Sequence, residues 1–358
     1  MHEPMPERVI SDGRVFSVHT YFDICPESPN GRRVVYSRFT GGVPSRMGDA
    51  PATGEVIVAD RDGGAARSIG AFAPRTSHTG AYTVWIDDAT VAYQDGPAVC
   101  LVNVDTGALR RFKGGCQMFD PVKGALFCPG EVRDEGPDAF PPGLYRLNID
   151  TGAVRTVITP AGLMEYPFFR ELPAPPTDLW CHAKWSPNGT RVAARVDLSP
   201  RQKGIGIFSC RPDGSDVIPF KYFSGERWDK PMHWSFFDDD SFYGYDVTDP
   251  RRPCRRWTLD GEIIETVHEG PGNHACLSPA GDYLVTDSWY NVEPRSVMFY
   301  RRYDREPVVL AEMPHTWQAD AHPALSRDGR RVYFNRTGPE GQGSQVCAVD
   351  LGPLLERK

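Results

Sequence analysis

Apolar and polar residues alternate along the chain in short runs such as VCLVNV, LYRLNI, IGIFSC and TRVAARV. A period of two over so few residues predicts half-buried strands, not helices. Each run stops at a turn, and the turns recur in a fixed order. One type is Ser28-Pro29-Asn30-Gly31, Ser186-Pro187-Asn188-Gly189, Ser278-Pro279-Ala280-Gly281 and Ser326-Arg327-Asp328-Gly329. Weaker copies stand at Asp120–Gly124, Asp238–Asp240 and Ile86–Asp88. A second hairpin follows, with turns such as Asp105-Thr106-Gly107, Asp150-Thr151-Gly152 and Arg211-Pro212-Asp213-Gly214. Pro presets φ, and Asn or Gly accepts positive φ, so each is a tight hairpin turn.

Two hairpins make a four-stranded unit. Seven units fit, beginning near residues 19, 76, 115, 178, 229, 272 and 318. Such a repeat predicts an all-β fold, a seven-bladed β-propeller, spanning residues 1–358 as one domain. The last unit is a strand short. The run at residues 13–18, Gly13-Arg14-Val15-Phe16-Ser17-Val18, is expected to close it as the outermost strand and so remove an exposed edge.

Composition agrees with this reading. The chain of 358 residues holds 35 Gly and 33 Pro, as many hairpin turns require, and 18 Phe, 14 Tyr and 8 Trp as core material. A net charge of −7 disfavours nucleic acid and anionic membrane as partners, so an anionic ligand needs local help from arginine or a metal. The nine cysteines are odd in number and show no CxxC spacing. They read as buried reduced thiols, and the N-terminus lacks the basic start and apolar run of a signal peptide. Both observations predict a cytoplasmic protein.

Aligning the blades on their first turns puts His182, His233, His274 and His322 in one slot, four residues before the turn serine or its equivalent. Gln117 takes that slot in blade three. In a propeller this slot opens on the mouth of the central channel. Four imidazoles there suggest a metal site, a proton-transfer site or both. His78, near a blade entrance like His19, is placed to reach the same funnel. His2, His268 and His315 are expected in exposed termini or loops. In Trp317-Gln318-Ala319-Asp320-Ala321-His322, alternation puts Gln318, Asp320 and His322 on one face. Those donors suit Mn²⁺, Ca²⁺, Fe²⁺ or Zn²⁺. The long links at 39–54, 129–142 and 160–178 are expected to carry function. No GxSxG elbow, Walker loop, GxGxxG fingerprint or HExxH pair is present.

The stretch from Asn273-His274-Ala275-Cys276-Leu277-Ser278-Pro279 to Thr286-Asp287 resembles blade six of the oligogalacturonate lyases. Asp320-Ala321-His322-Pro323 through Gly329 resembles their last blade. The opening His19-Thr20-Tyr21-Phe22 and the Ser-Pro-x-Gly turns extend a weaker likeness over nearly the whole chain. Rhamnose–glucuronate lyases share this class. Asp320 stands where that family has another histidine.

The resemblance implies β-elimination on a uronic-acid oligosaccharide, with Mn²⁺ favoured. It implies His274, His322 and Asp320, with Gln318, as metal ligands. His233 is then the base, with His182 as alternative base or extra ligand. Arg170 or Arg227 would hold the carboxylate, Tyr290 would stack on sugar or give a proton, and His78 and Gln117 would line the substrate. Two alternatives stand beside this. One is a TolB-like binding propeller without catalysis. The other is a hydrolase, lactonase or epimerase using a metal on the same fold.

Overall fold

The computed structural model describes residues 5–13, 15–42, 53–73, 77–116, 118–120, 124–129, 137–198, 205–221, 231–290, 292–314, 319–337 and 343–356. Their strands form seven four-stranded antiparallel sheets, so the fold class is a seven-bladed β-propeller. Contacts divide the chain into two compact units. The first joins Met1–Gly96, Cys100–Arg111 and His268–Lys358; the second joins Pro97–Val99 and Phe112–Val267. Among the described residues, no helix is long and apolar enough to cross a membrane. Cys25, Cys100, Cys116, Cys128, Cys210, Cys254, Cys276 and Cys347 are thiols outside any disulfide.

The repeated turns form because their side chains satisfy the backbone locally. Ser28 Oγ accepts from the N–H groups of Arg32 and Arg33. Ser186 Oγ accepts from Arg191, Ser278 Oγ from Asp282 and Tyr283, and Ser326 Oγ from Arg331. Gly31, at φ +69°, supplies the left-handed residue that closes the turn. The second hairpins use asparagine instead. Asn103 Oδ1 accepts from Asp105 and Thr106, and Asn148 Oδ1 from Asp150 and Thr151.

In the first unit, the last blade takes its fourth strand from the N-terminus. Glu7–Val9 pairs with Cys347–Val349. The expected closing strand at 13–18 is therefore corrected. Ser17–Val18 is instead the innermost strand of blade one, paired with Ser37–Arg38. Burial explains the exchange. Phe16, Ser17 and Val18 are buried, as an inner strand must be, whereas Arg8 and Val9 are exposed, as an edge strand tolerates. Blade one then leaves its ladder after Val18 and resumes it at a bridge between Glu27 and Val34. Residues 19–26 are thereby released as a buried excursion. The cores of this unit centre on Val35, Trp85 and Val91, on Ile10, Tyr36 and Tyr333, and on Val285, Phe299 and Phe334.

In the second unit, Trp234, Phe242 and Trp257 form one core, and Leu126, Leu163, Phe169 and Phe208 another. The link 160–178 carries two one-turn helices, Pro160–Leu163 and Pro167–Arg170. Thr159 caps the first by accepting from Gly162 N–H. Their Leu163 and Phe169 are fully buried, so the link is docked by its apolar residues.

His268 corrects a second expectation. It lies in the strand Ile263–His268, 1% exposed, with its ring stacked 4.2 Å from that of Tyr300.

Candidate metal centre in the first unit

Four segments of the first unit bring titratable side chains together. The excursion of blade one delivers His19 and Tyr21. The turn before blade two delivers His78. Blades six and seven deliver His274, Asp287, Arg295, Asp320 and His322. Asn335 staples two of these segments. Its Oδ1 accepts from His19 N–H at 2.8 Å, and its Nδ2 donates to Asp320 O at 3.1 Å and His19 O at 3.4 Å.

His274 sits just before the strand Cys276–Leu277. Its backbone N–H donates to Asp287 Oδ1 at 2.8 Å, and its Nδ1 lies 3.0 and 3.1 Å from the two oxygens of Asp287. A carboxylate only accepts, so this imidazole carries its proton on Nδ1, and Nε2 is the basic nitrogen. Arg295 then bridges two blades. Its Nη2 is 3.4 Å from Asp287 Oδ2, and its Nη1 donates to Asp320 Oδ1 at 2.9 Å. Burial works against the charge on Arg295, but Asp287 and Asp320 outweigh it and hold the guanidinium above its ordinary range.

The other oxygen of Asp320 faces histidines. Oδ2 is 3.2 Å from His78 Nδ1 and 3.9 Å from His322 Nε2. The ring of His322 lies 4.6 Å from that of His78, 4.5 Å from that of His274 and 4.5 Å from that of Tyr21. His322 is fully buried, and among the described residues neither of its ring nitrogens has a hydrogen-bond partner. Burial, with the nearby imidazoles of His274 and His78, pushes its pKa well below the usual histidine range. Burial likewise lowers His19 to about 4. Tyr21, also buried, is raised well above the usual tyrosine range by desolvation and by Tyr290, Asp23 and other neighbours.

A cation fits these donors. One ligand atom each of His78, Asp320 and His322 lies within 4.8 Å of the others. Two imidazoles and a carboxylate suit Mn²⁺, Fe²⁺ or Zn²⁺. Buried imidazole nitrogens without partners are costly unless something binds them. Two carboxylates against one guanidinium also leave a buried negative charge for a cation to balance. The cluster is sealed at Asp320 and His322 and reaches solvent at His78 and Tyr290, both half-buried.

Of the residues singled out in the sequence, His274, His322 and Asp320 meet here. His78 joins as a member of the ligand group, and His274 is engaged by Asp287. The Tyr290 ring is 6.3 Å from that of His274, with Arg295 Cζ 5.5 Å from its centre. His233 and His182 belong to the second unit. His233 is buried at φ +48° where the register of its strand shifts. His182 lies in the strand Pro176–Trp185, also at a register shift. Arg170 ends its helix exposed and donates to Glu165 O. Gln117, Gln318 and Arg227 lie outside the described residues, as do His2 and His315. Asp287, Arg295 and Asn335 carry no signal as site residues in the repeat. The readable hint is a charged residue opening the apolar strand Arg295–Arg301.

No family model and no curated protein matches the chain. The fold is shared with a crystal structure of oligogalacturonate lyase from Vibrio parahaemolyticus. That match has a TM-score of 0.62 at 11% identity and covers 98% of this chain and 97% of that one. A puromycin-hydrolyzing peptidase of Mycobacterium tuberculosis gives 0.57 at 14% identity, over 95% of this chain and 51% of that one. A chain of the mitotic checkpoint complex gives 0.51 at 11% identity, over 96% and 93%. At these identities the likeness is one of fold alone, a propeller that enzymes and non-enzymes share.

Proposed function

We propose that the protein is a carbon–oxygen lyase that cleaves uronic-acid oligosaccharides by metal-assisted β-elimination. The observation that carries the reading is the His78–Asp320–His322 group, braced by Arg295 and flanked by the His274–Asp287 pair. The shared fold with a protein described as an oligogalacturonate lyase supports it.

The chemistry demands such a site. The proton at C5 of a uronate lies beside a carboxylate anion, which resists further negative charge. A divalent cation held by His78, Asp320 and His322 would neutralise that carboxylate and ease removal of the proton. The chain's own residues do the rest. His78 and Tyr290, the half-buried members, form the rim where sugar meets the cluster. Tyr290, acting as its phenolate beside the Arg295 guanidinium, takes the proton from C5. The electron pair of the C5–H bond forms the C4–C5 double bond, the C4–O bond breaks, and the proton now on Tyr290 passes to the departing oxygen. Asp287 and Arg295 keep the buried side fixed, so that little reorganisation is needed during the reaction.

The test is a panel of galacturonate and glucuronate oligosaccharides incubated with Mn²⁺-loaded protein. Rising ultraviolet absorbance of the unsaturated uronate is expected. It should fall at least about a hundredfold in His322→Ala and Tyr290→Phe, the usual scale for losing a ligand or acid–base group. A metal-loaded protein that forms no unsaturated sugar from any member overturns the lyase reading.

A further inference from the structure

We propose that Arg295 sets the charge of this cluster, so that the cation-loaded site is net positive and selects an anionic ligand. The inference rests on the cation-binding reading above and deepens it. Among the described residues, the charged partners of Arg295 are the buried Asp287 and Asp320, with the Tyr290 ring beside its guanidinium. Arg295 is 2% exposed, opens a strand whose inward residues Val297 and Phe299 are apolar, and spends both terminal nitrogens on Asp287 and Asp320. Burying a guanidinium is expensive, and an apolar side chain with neutral partners would pack as well or better. The fold by itself therefore does not require this charge.

The arithmetic of the cluster does. Histidine binds a cation as neutral imidazole, so the histidines add no charge to the loaded site. Asp287 and Asp320 then exceed Arg295 by one negative charge. A divalent cation reverses that to one positive charge, and an incoming carboxylate balances it. Without Arg295 the cation would merely neutralise the two carboxylates. The ligand's own charge would then sit uncompensated in a buried site, which is strongly disfavoured. Arg295 is thus a positioning residue with a second duty: it joins the two carboxylates, and it tunes the site toward anions.

The two duties predict different results. Metal-free protein is titrated with Co²⁺, followed by its visible absorption. The Co²⁺-loaded protein is then titrated with galacturonate, read from the perturbation of that band. Arg295→Met should bind Co²⁺ about tenfold more tightly or better and galacturonate more weakly by a similar factor, as expected of one unit charge a few ångströms away. Asp287→Asn, which is isosteric, should do the reverse. If Arg295→Met does not fold, the sign of the two Asp287→Asn effects decides. Both affinities falling together in these variants would mean that Arg295 is structural only, and would overturn the proposal. Wild-type protein that takes up no Co²⁺ would bring down the cation reading itself and this inference with it.

Discussion

His322 is held in a conformation that an L side chain disfavours, at φ +45°. Such a residue costs about 1–3 kcal/mol and persists only where its surroundings fix it. Here Asn335 does so: its backbone N–H donates to Ala321 O at 2.8 Å, and its side chain donates to Asp320 O. The strain aims an imidazole into a cluster instead of along a strand. His268 shows the opposite case, a histidine buried for packing. Its Nδ1 accepts from Gly270 N–H at 2.9 Å, and desolvation lowers its pKa to about 4. The unfolded chain therefore binds the extra proton first as pH falls. Stability should drop between roughly pH 6.5 and 4, with about 3 kcal/mol of that loss due to His268. Urea denaturation across that range should show a shallower decline in His268→Asn, which keeps an acceptor but does not titrate. An unchanged slope would mean that His268 is not the neutral, buried group described.

At the scale of elements, what was readable in the chain was local. Ser28, Ser186, Ser278 and Ser326 announce their turns because each bonds to backbone a few residues away. His274 and His322 were readable too, since each lies four residues before its turn serine. The closing strand was not. Residues 13–18 and 7–9 both look extended, and what separates them is burial against strands from the far end of the sequence. Arg295 was hidden for the same reason, because its partners come from two blades. The closing strand carries its own prediction. Ile10, 2% exposed, packs with Tyr36, Tyr333 and Val346, and Arg336 pairs with Glu7. Ile10→Ala should cost about 3 kcal/mol. Removing residues 1–10 should cost more and leave Ser344–Asp350 as an open edge that promotes association. Thermal melting with light scattering checks both. A truncated chain that melts like the intact one and stays monomeric would show that Glu7–Val9 does not close the blade.

For the molecule as a whole, a propeller says little about chemistry, as its structural neighbours include a lyase, a peptidase and a checkpoint assembly. Function must be argued from the site. The case here is that a chain with nine histidines gathers His78, His274 and His322 within touching distance, beside two carboxylates joined by a buried arginine. The measurement that tests this most directly is metal stoichiometry. Metal-free protein, His78→Ala and His322→Ala should be titrated calorimetrically with Mn²⁺ and Zn²⁺, with circular dichroism confirming that each variant is folded. One equivalent bound by the wild type, and weakened at least about tenfold in both variants, is the predicted result. Wild-type protein that binds neither ion, or folded variants that bind as tightly as it does, would contradict the account.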